Sequence, residues 1–162
     1  GMRVANSLLV EGLVATVASG DLETVASFFA DDVTYFVHTP AYGPEVLGDC
    51  RGRDMLVRRL EMLSKQIEVK EFRLLRMQTV NGRHACQIKF AYRHLRTGLG
   101  IDGLMRLFVQ IENERVLSAE IIYDSDGMAA FFARIRTGVK MFHVNHSGEG
   151  SETKRERDEC FT

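Results

Sequence analysis

Asn81-Gly82-Arg83-His84-Ala85-Cys86-Gln87-Ile88-Lys89-Phe90-Ala91-Tyr92-Arg93-His94 is the stretch on which the fold turns. His84, Cys86, Ile88, Phe90, Tyr92 and His94 alternate with Ala85, Gln87, Lys89, Ala91 and Arg93. In an extended strand successive side chains point to opposite faces, so the first set lines one face of a sheet. Asn81-Gly82 ahead of it suits a type I′ hairpin turn, which needs two residues at positive φ. The segment on the other side of that turn, Glu68 to Val80, is therefore the partner strand.

Downstream, Thr97-Gly98 starts a second turn. Ile101, Gly103, Met105, Leu107, Val109 and Ile111 then share one face of a further strand. Its other face carries Asp102, Leu104, Arg106, Phe108 and Gln110, a mixed surface suited to a second copy. Asn113 and Glu114 turn the chain again, and Val116 to Tyr123 is the last long strand. Asp126 is expected to cap a final helix bearing Met128, Phe131, Phe132 and Ile135, with Gly138 closing it.

Upstream, helices dominate. Leu9, Leu13 and Val17 fall at steps of four, widened by Val10 and Val14, so Val4 to Ser19 predicts an amphipathic helix. Gly20 stops it and Asp21 caps a second helix, which Asp31 and Asp32 are expected to end. Val33 to Thr39 reads as a strand limited by Pro40. Ala41 to Arg51 reads as a loop, and Leu56, Leu60 and Leu63 mark a third helix. Helices set apart from a run of antiparallel strands predict an α+β domain over residues 4–138. Residues 139–162 form a polar C-terminal extension, mobile by composition.

Composition excludes several classes. With 45% hydrophobic residues the chain can bury a sizeable core, and a net charge of −1 gives no pull toward nucleic acid or anionic membranes. No apolar run reaches the roughly 18 residues of a membrane span. Cys50, Cys86 and Cys160 have no metal-ligand spacing, and an odd, sparse cysteine count fits a reducing compartment, so the expected location is cytoplasmic. His143 and His146 are spaced for two metal ligands on a helix, but Asn145, Ser147 and Gly148 speak against a helix, so no metal site is expected. No phosphate-binding or dinucleotide motif is present, and no cofactor is expected.

Three segments carry a resemblance. Gly20-Asp21-Leu22-Glu23 runs on to Phe29-Ala30-Asp31-Asp32-Val33; Gly48 and Arg51-Gly52-Arg53 precede the third helix; Ile122-Tyr123-Asp124 closes the last strand. Together they resemble the SnoaL-like branch of the nuclear-transport-factor-2-like superfamily, over roughly residues 5–137. The resemblance implies a curved, mostly antiparallel sheet wrapped around a long N-terminal helix. It implies a cone with an internal pocket, and a homodimer through the outer sheet face. Isomerases, polyketide cyclases, dehydratases, epoxide hydrolases and non-catalytic binders all use this fold, so the site must argue the function.

Read residue by residue, a ketosteroid-isomerase-type site would need a carboxylate where Val37 stands and a tyrosine near Leu13. An epoxide-hydrolase-type site would need aspartates near Ile121 and Leu95 beside Arg93. A cyclase needs only one well-placed acid/base, and Asp124 with His94 or His38 could serve. Asp124 and His94 are the catalytic candidates; Tyr35, His38, Phe90, Tyr92, Met105 and Tyr123 are the ligand-binding ones. Asp124 reads equally as a cap residue. Two readings stand at this point. One is a cofactor-independent isomerase, lyase or polyketide-cyclase-like enzyme for a small apolar ligand. The other is a non-catalytic dimeric interaction or ligand-sensing module.

Overall fold

A computed structural model describes residues 2–38 and 48–147. Helix α1 is Met2–Ala18, and α2, Leu22–Val25, is followed by a 3-10 turn at Ala26–Phe28. Strand β1 is Phe29–His38, β2 is Cys50–Arg51, and α3 is Arg53–Ser64. Then come β3, Ile67–Val80; β4, Arg83–His94; β5, Gly100–Glu112; β6, Arg115–Ile122; and α4, Ser125–Ser147. The strands form one six-stranded sheet in the order β2-β1-β6-β5-β4-β3. Every neighbouring pair is antiparallel except β1 and β6, which run parallel. The α+β architecture expected from the sequence is thus present. Pro40 and most of the loop read at 41–51, and all of 148–162, fall outside the described residues.

The alternation in β4 is borne out. His84, Cys86, Ile88 and Phe90 are all buried, as is His94, while Tyr92 is half-buried. Opposite them, Val10, Leu13 and Val14 of α1 are buried in the same core. Asn81 and Gly82 both have positive φ, 51° and 76°, the type I′ geometry that the dipeptide predicts. Asn113 and Glu114 repeat it at 50° and 61°, without a glycine.

Three local expectations are corrected. Asp31 and Asp32 do not end a helix. The helical segment stops at Phe28, and both aspartates lie exposed in β1, where the register with β6 shifts between Phe29 and Thr34. Phe29 belongs to the strand because it pairs with Val116 and is buried there. Gly138 does not close α4, so the boundary drawn at residues 138/139 falls inside that helix. A glycine weakens a helix interior by about 1 kcal/mol without stopping it. Here it serves close approach: a Cβ at Gly138 would stand 3.4 Å from Leu99 Cδ1 and 3.6 Å from Thr97 Cγ2. His143 and His146 consequently lie on helical backbone, contrary to the argument from Asn145 and Ser147. Gly52, in the Arg51-Gly52-Arg53 segment, has φ 91° and ψ 144°, a region kept for glycine. Its N–H donates to Val33 O at 2.7 Å, which ties the start of α3 to β1.

Candidate functional site

Inner-face side chains of the sheet, with α1, α3 and α4, enclose a cavity of about 130 Å³. Its size is of the order of an engineered apolar cavity, ~150 Å³, that takes benzene. The walls are mostly aliphatic and aromatic: Leu13, Leu56, Met105, Ile121 and Phe131 are examples. Met128, Phe131, Phe132 and Ile135 of α4 form their own small cluster, which rests on Leu99, Ile101 and Tyr123 and roofs the cavity. Five lining residues are polar: Tyr35, Gln66, Tyr92, His94 and Tyr123. No Asp, Glu, Lys or Arg lines it among the described residues.

Most of these polar groups gather at one end. Tyr92 and His94 are two residues apart on the inner face of β4, about 7 Å along the strand. Ile67 pairs with His94 across β3 and β4, and Leu95 N–H donates to Gln66 O at 2.9 Å, which brings Gln66 beside the histidine. Tyr123 follows the end of β6, and its hydroxyl meets that of Tyr92 at 2.8 Å. β5 runs between the two strands. Its Gly103 stands opposite Phe90, whose ring lies 3.6 Å from where a Cβ would be. The Phe90 centroid is 4.7 Å from Tyr92 and 5.2 Å from Tyr123.

Burial pushes all three tyrosines well above their ordinary range, with neighbouring phenols adding to the shift for Tyr35 and Tyr123. For Tyr92 the bond to Tyr123 works the other way without overcoming burial. These phenols stay protonated at any physiological pH. His94 is 2% exposed. Burial, with the nearby Arg96, lowers its pKa, so the ring is held toward its neutral form. Its Nδ1 is 2.9 Å from Thr97 Oγ1 and accepts from Thr97 N–H at 3.3 Å. The β4–β5 turn, closed by His94 N–H to Leu99 O at 2.7 Å, sets this arrangement.

Five of the eight residues expected from the sequence line the cavity: Tyr35, Tyr92, His94, Met105 and Tyr123. Phe90 is buried behind the tyrosines and supports them without lining the cavity. His38 is exposed on the opposite face of the sheet, with Nε2 3.5 Å from Glu120 Oε1. The odd–even parity within β1 explains this, since Val33, Tyr35 and Val37 point inward. Asp124 is exposed and lies outside the cavity wall: its Oδ2 accepts from Gly127 N–H at 3.3 Å, and Met128 N–H donates to Asp124 O at 3.0 Å. Asp124, and not Asp126, is therefore the N-cap of α4. The arginine weighed for epoxide hydrolysis, Arg93, also faces outward, 3.5 Å from Glu68. Sequence reasoning missed Gln66 and Thr97. Thr97 had a signal, a short polar side chain three residues after a histidine and next to a turn glycine. Gln66 had none.

Residues 10–119 match the SnoaL-like domain family. No curated protein matches the chain. Solved structures share its fold. A nuclear-transport-factor-2-like protein of unknown function from Burkholderia pseudomallei has a TM-score of 0.68 at 16% identity, covering 80% of this chain and 95% of its own. A protein with a ketosteroid-isomerase-like fold from Catenulispora acidiphila, solved with trimethylamine, has a TM-score of 0.63 at 15% identity, covering 75% and 89%. An LEH-like epoxide hydrolase from Mycobacterium tuberculosis has a TM-score of 0.61 at 15% identity, covering 78% and 87%. At such identities the likeness is one of fold.

Proposed function

Since the chain belongs to the SnoaL-like domain family, we propose that it binds a small, mostly apolar molecule in the cavity. We propose further that it acts on that molecule without a cofactor, as an isomerase, lyase or polyketide-cyclase-like enzyme. One observation carries this reading: the cavity is apolar except for a few polar side chains, and His94, Gln66, Tyr92 and Tyr123 sit together at one end of it. That is the composition of a small-molecule site, with apolar walls for affinity and a few polar groups for orientation. Isomerase-like and epoxide-hydrolase relatives in fold lend it support. In such an enzyme His94, Tyr92 and Tyr123 would contact the reacting atoms, and Asp124 would hold α4. The test is a screen of small apolar compounds by methyl NMR on Met105 and Ile135, followed by turnover assays on those that bind. His94→Ala and Tyr92→Phe should abolish turnover while the fold persists. If no compound shifts the cavity methyls, the reading is wrong.

A second reading, a non-catalytic ligand-sensing dimer, is favoured by the absence of any carboxylate among the described lining residues. Both readings use a homodimer through the outer sheet face, where Leu104 is 51% and Phe36 38% exposed. Leu104→Asp should then convert a dimer to a monomer in light scattering. Binding without turnover across the screen would favour the sensor. No helix among the described residues is long and apolar enough to cross a membrane. The sparse, odd cysteine count supports a cytoplasmic location as part of this proposal.

A further inference from the structure

Three phenols line the cavity: Tyr35 in β1, Tyr92 in β4 and Tyr123 just past β6. Tyr92 and Tyr123 bond to one another at 2.8 Å. Tyr35 is placed differently. Its ring stands edge-on to Phe29, and its hydroxyl has no hydrogen bond to a described residue. Two observations say where that hydroxyl lies. Burial is the main cause of its raised pKa and the Tyr123 phenol the next, so the oxygen is deep and on the Tyr123 side. Yet it is not one of the described core atoms that are sealed in without a partner, and Tyr35 as a whole is only half-buried. A hydroxyl that is deep, unsealed and carried by a lining residue opens onto the cavity.

What Tyr35 offers there is a proton. A phenol shares its oxygen lone pair with the ring, so it donates better than it accepts. The raised pKa keeps that proton in place at any physiological pH. The tyrosine pair adds to it: two hydroxyls bring two protons, and their shared bond uses one. A carbonyl oxygen has two lone pairs and no proton, the complement of such donors. No charged side chain lines the cavity among the described residues, so an ion taken into it from water is not compensated.

We propose that Tyr35 is the specificity-determining residue of the cavity, and that its hydroxyl donates to the carbonyl oxygen of a neutral ketone or ester. This rests on the reading of the cavity as a ligand site and narrows it. Tyr35 stands at neither of the positions, near Leu13 and at Val37, that a ketosteroid-isomerase-type site would use. Because the hydroxyl has no bond to a described residue, the protein folds without relying on it, and its contribution appears only when a ligand is present.

The test uses the full chain and four probes of similar shape: acetophenone, ethylbenzene, benzoate and benzylammonium. Acetophenone should bind roughly 3- to 10-fold more tightly than ethylbenzene, the range of one net hydrogen bond, and the two ions should bind least. The infrared carbonyl stretch of bound acetophenone should lie below its position in hydrocarbon solvent. Tyr35→Phe should weaken acetophenone by a similar roughly 3- to 10-fold, leave ethylbenzene unchanged and move the stretch back toward the hydrocarbon position. Without ligand, its melting temperature should match that of the parent chain. Equal binding of ketone and hydrocarbon, tightest binding of either ion, unchanged acetophenone affinity in Tyr35→Phe, or a variant that melts several degrees lower each overturns the inference. All four leave the ligand-site reading standing. If no probe shifts the Met105 and Ile135 methyls, both fall together.

Discussion

Tyr92 lies on β4 and Tyr123 just past the end of β6, strands that are not neighbours, yet their hydroxyls stand 2.8 Å apart. The pair is a cross-sheet clasp within an apolar wall. Tyr92→Phe or Tyr123→Phe should each cost about 1 kcal/mol of stability in urea unfolding. The double variant should cost less than the sum, because only one shared bond exists to lose. Gly103→Ala should be tolerated, since its Cβ would meet the Phe90 ring at an ordinary 3.6 Å. Gly103→Leu should open the clasp and lower the melting temperature.

Asp124 is a helix cap, so its substitution should register in stability and not in binding. Asp124→Ala should lose about 1 kcal/mol, the usual value of an N-cap. Asp124→Asn, which keeps an acceptor, should lose less. Gly127→Ala should be worse tolerated than a helix position suggests, because its Cβ would come within 2.9 Å of Asp124 Oδ2. Ligand occupancy measured alongside thermal melts separates these effects from any role in the cavity.

His94 should make stability depend on pH in a defined direction. Its folded pKa lies below the ordinary 6.5, so the unfolded chain takes up its proton first as pH falls. The contribution is fully present above about pH 6.5, and it is lost as pH drops from there through the lower folded value. Urea midpoints taken between pH 8 and pH 5 should fall on acidification. The fall should be shallower in His94→Gln.

Glu114 sits at φ 61°, in a turn whose twin at Asn81-Gly82 has a glycine at the matching place. Relieving that conformation with Glu114→Gly should raise stability by roughly 0.5–1 kcal/mol. Thermal unfolding would show it. The reverse exchange, Gly82→Glu, should lower stability by a similar amount.

What could be read from the sequence was what is local. The β4 alternation, the Asn81-Gly82 turn and the α1 stripe each follow from spacing, and all three are present. Alternation within their own strands put Tyr35, Tyr92, His94 and Met105 among the inward candidates, and all four line the cavity. Features set by distant partners could not be read. Asp31 and Asp32 look like a helix end until Phe29 is seen pairing with Val116. Gly138 looks like a stop until Leu99 and Thr97 are found against it. Asp124 and Asp126 compete as caps, and only the bond to Gly127 N–H decides between them. Gln66 enters the cavity because α3 hands over to β3 beside His94, an adjacency with no signature in the residue itself.

The parallel pairing of β1 with β6 sets an order of assembly. β3, β4 and β5 can zip by consecutive hairpins as each leaves the ribosome. β1 emerges earlier than any of them, and β2 is its one strand neighbour among the described residues until Ala119 arrives beside Tyr35. Closing that distant contact requires nearly the whole domain to have been made, which is the slow kind of step in folding. Tyr35 and Tyr123 therefore reach their places only at the end. A nascent chain cut short before residue 115 would lack Ala119, Ile121 and Tyr123, and with them one side of the cavity wall.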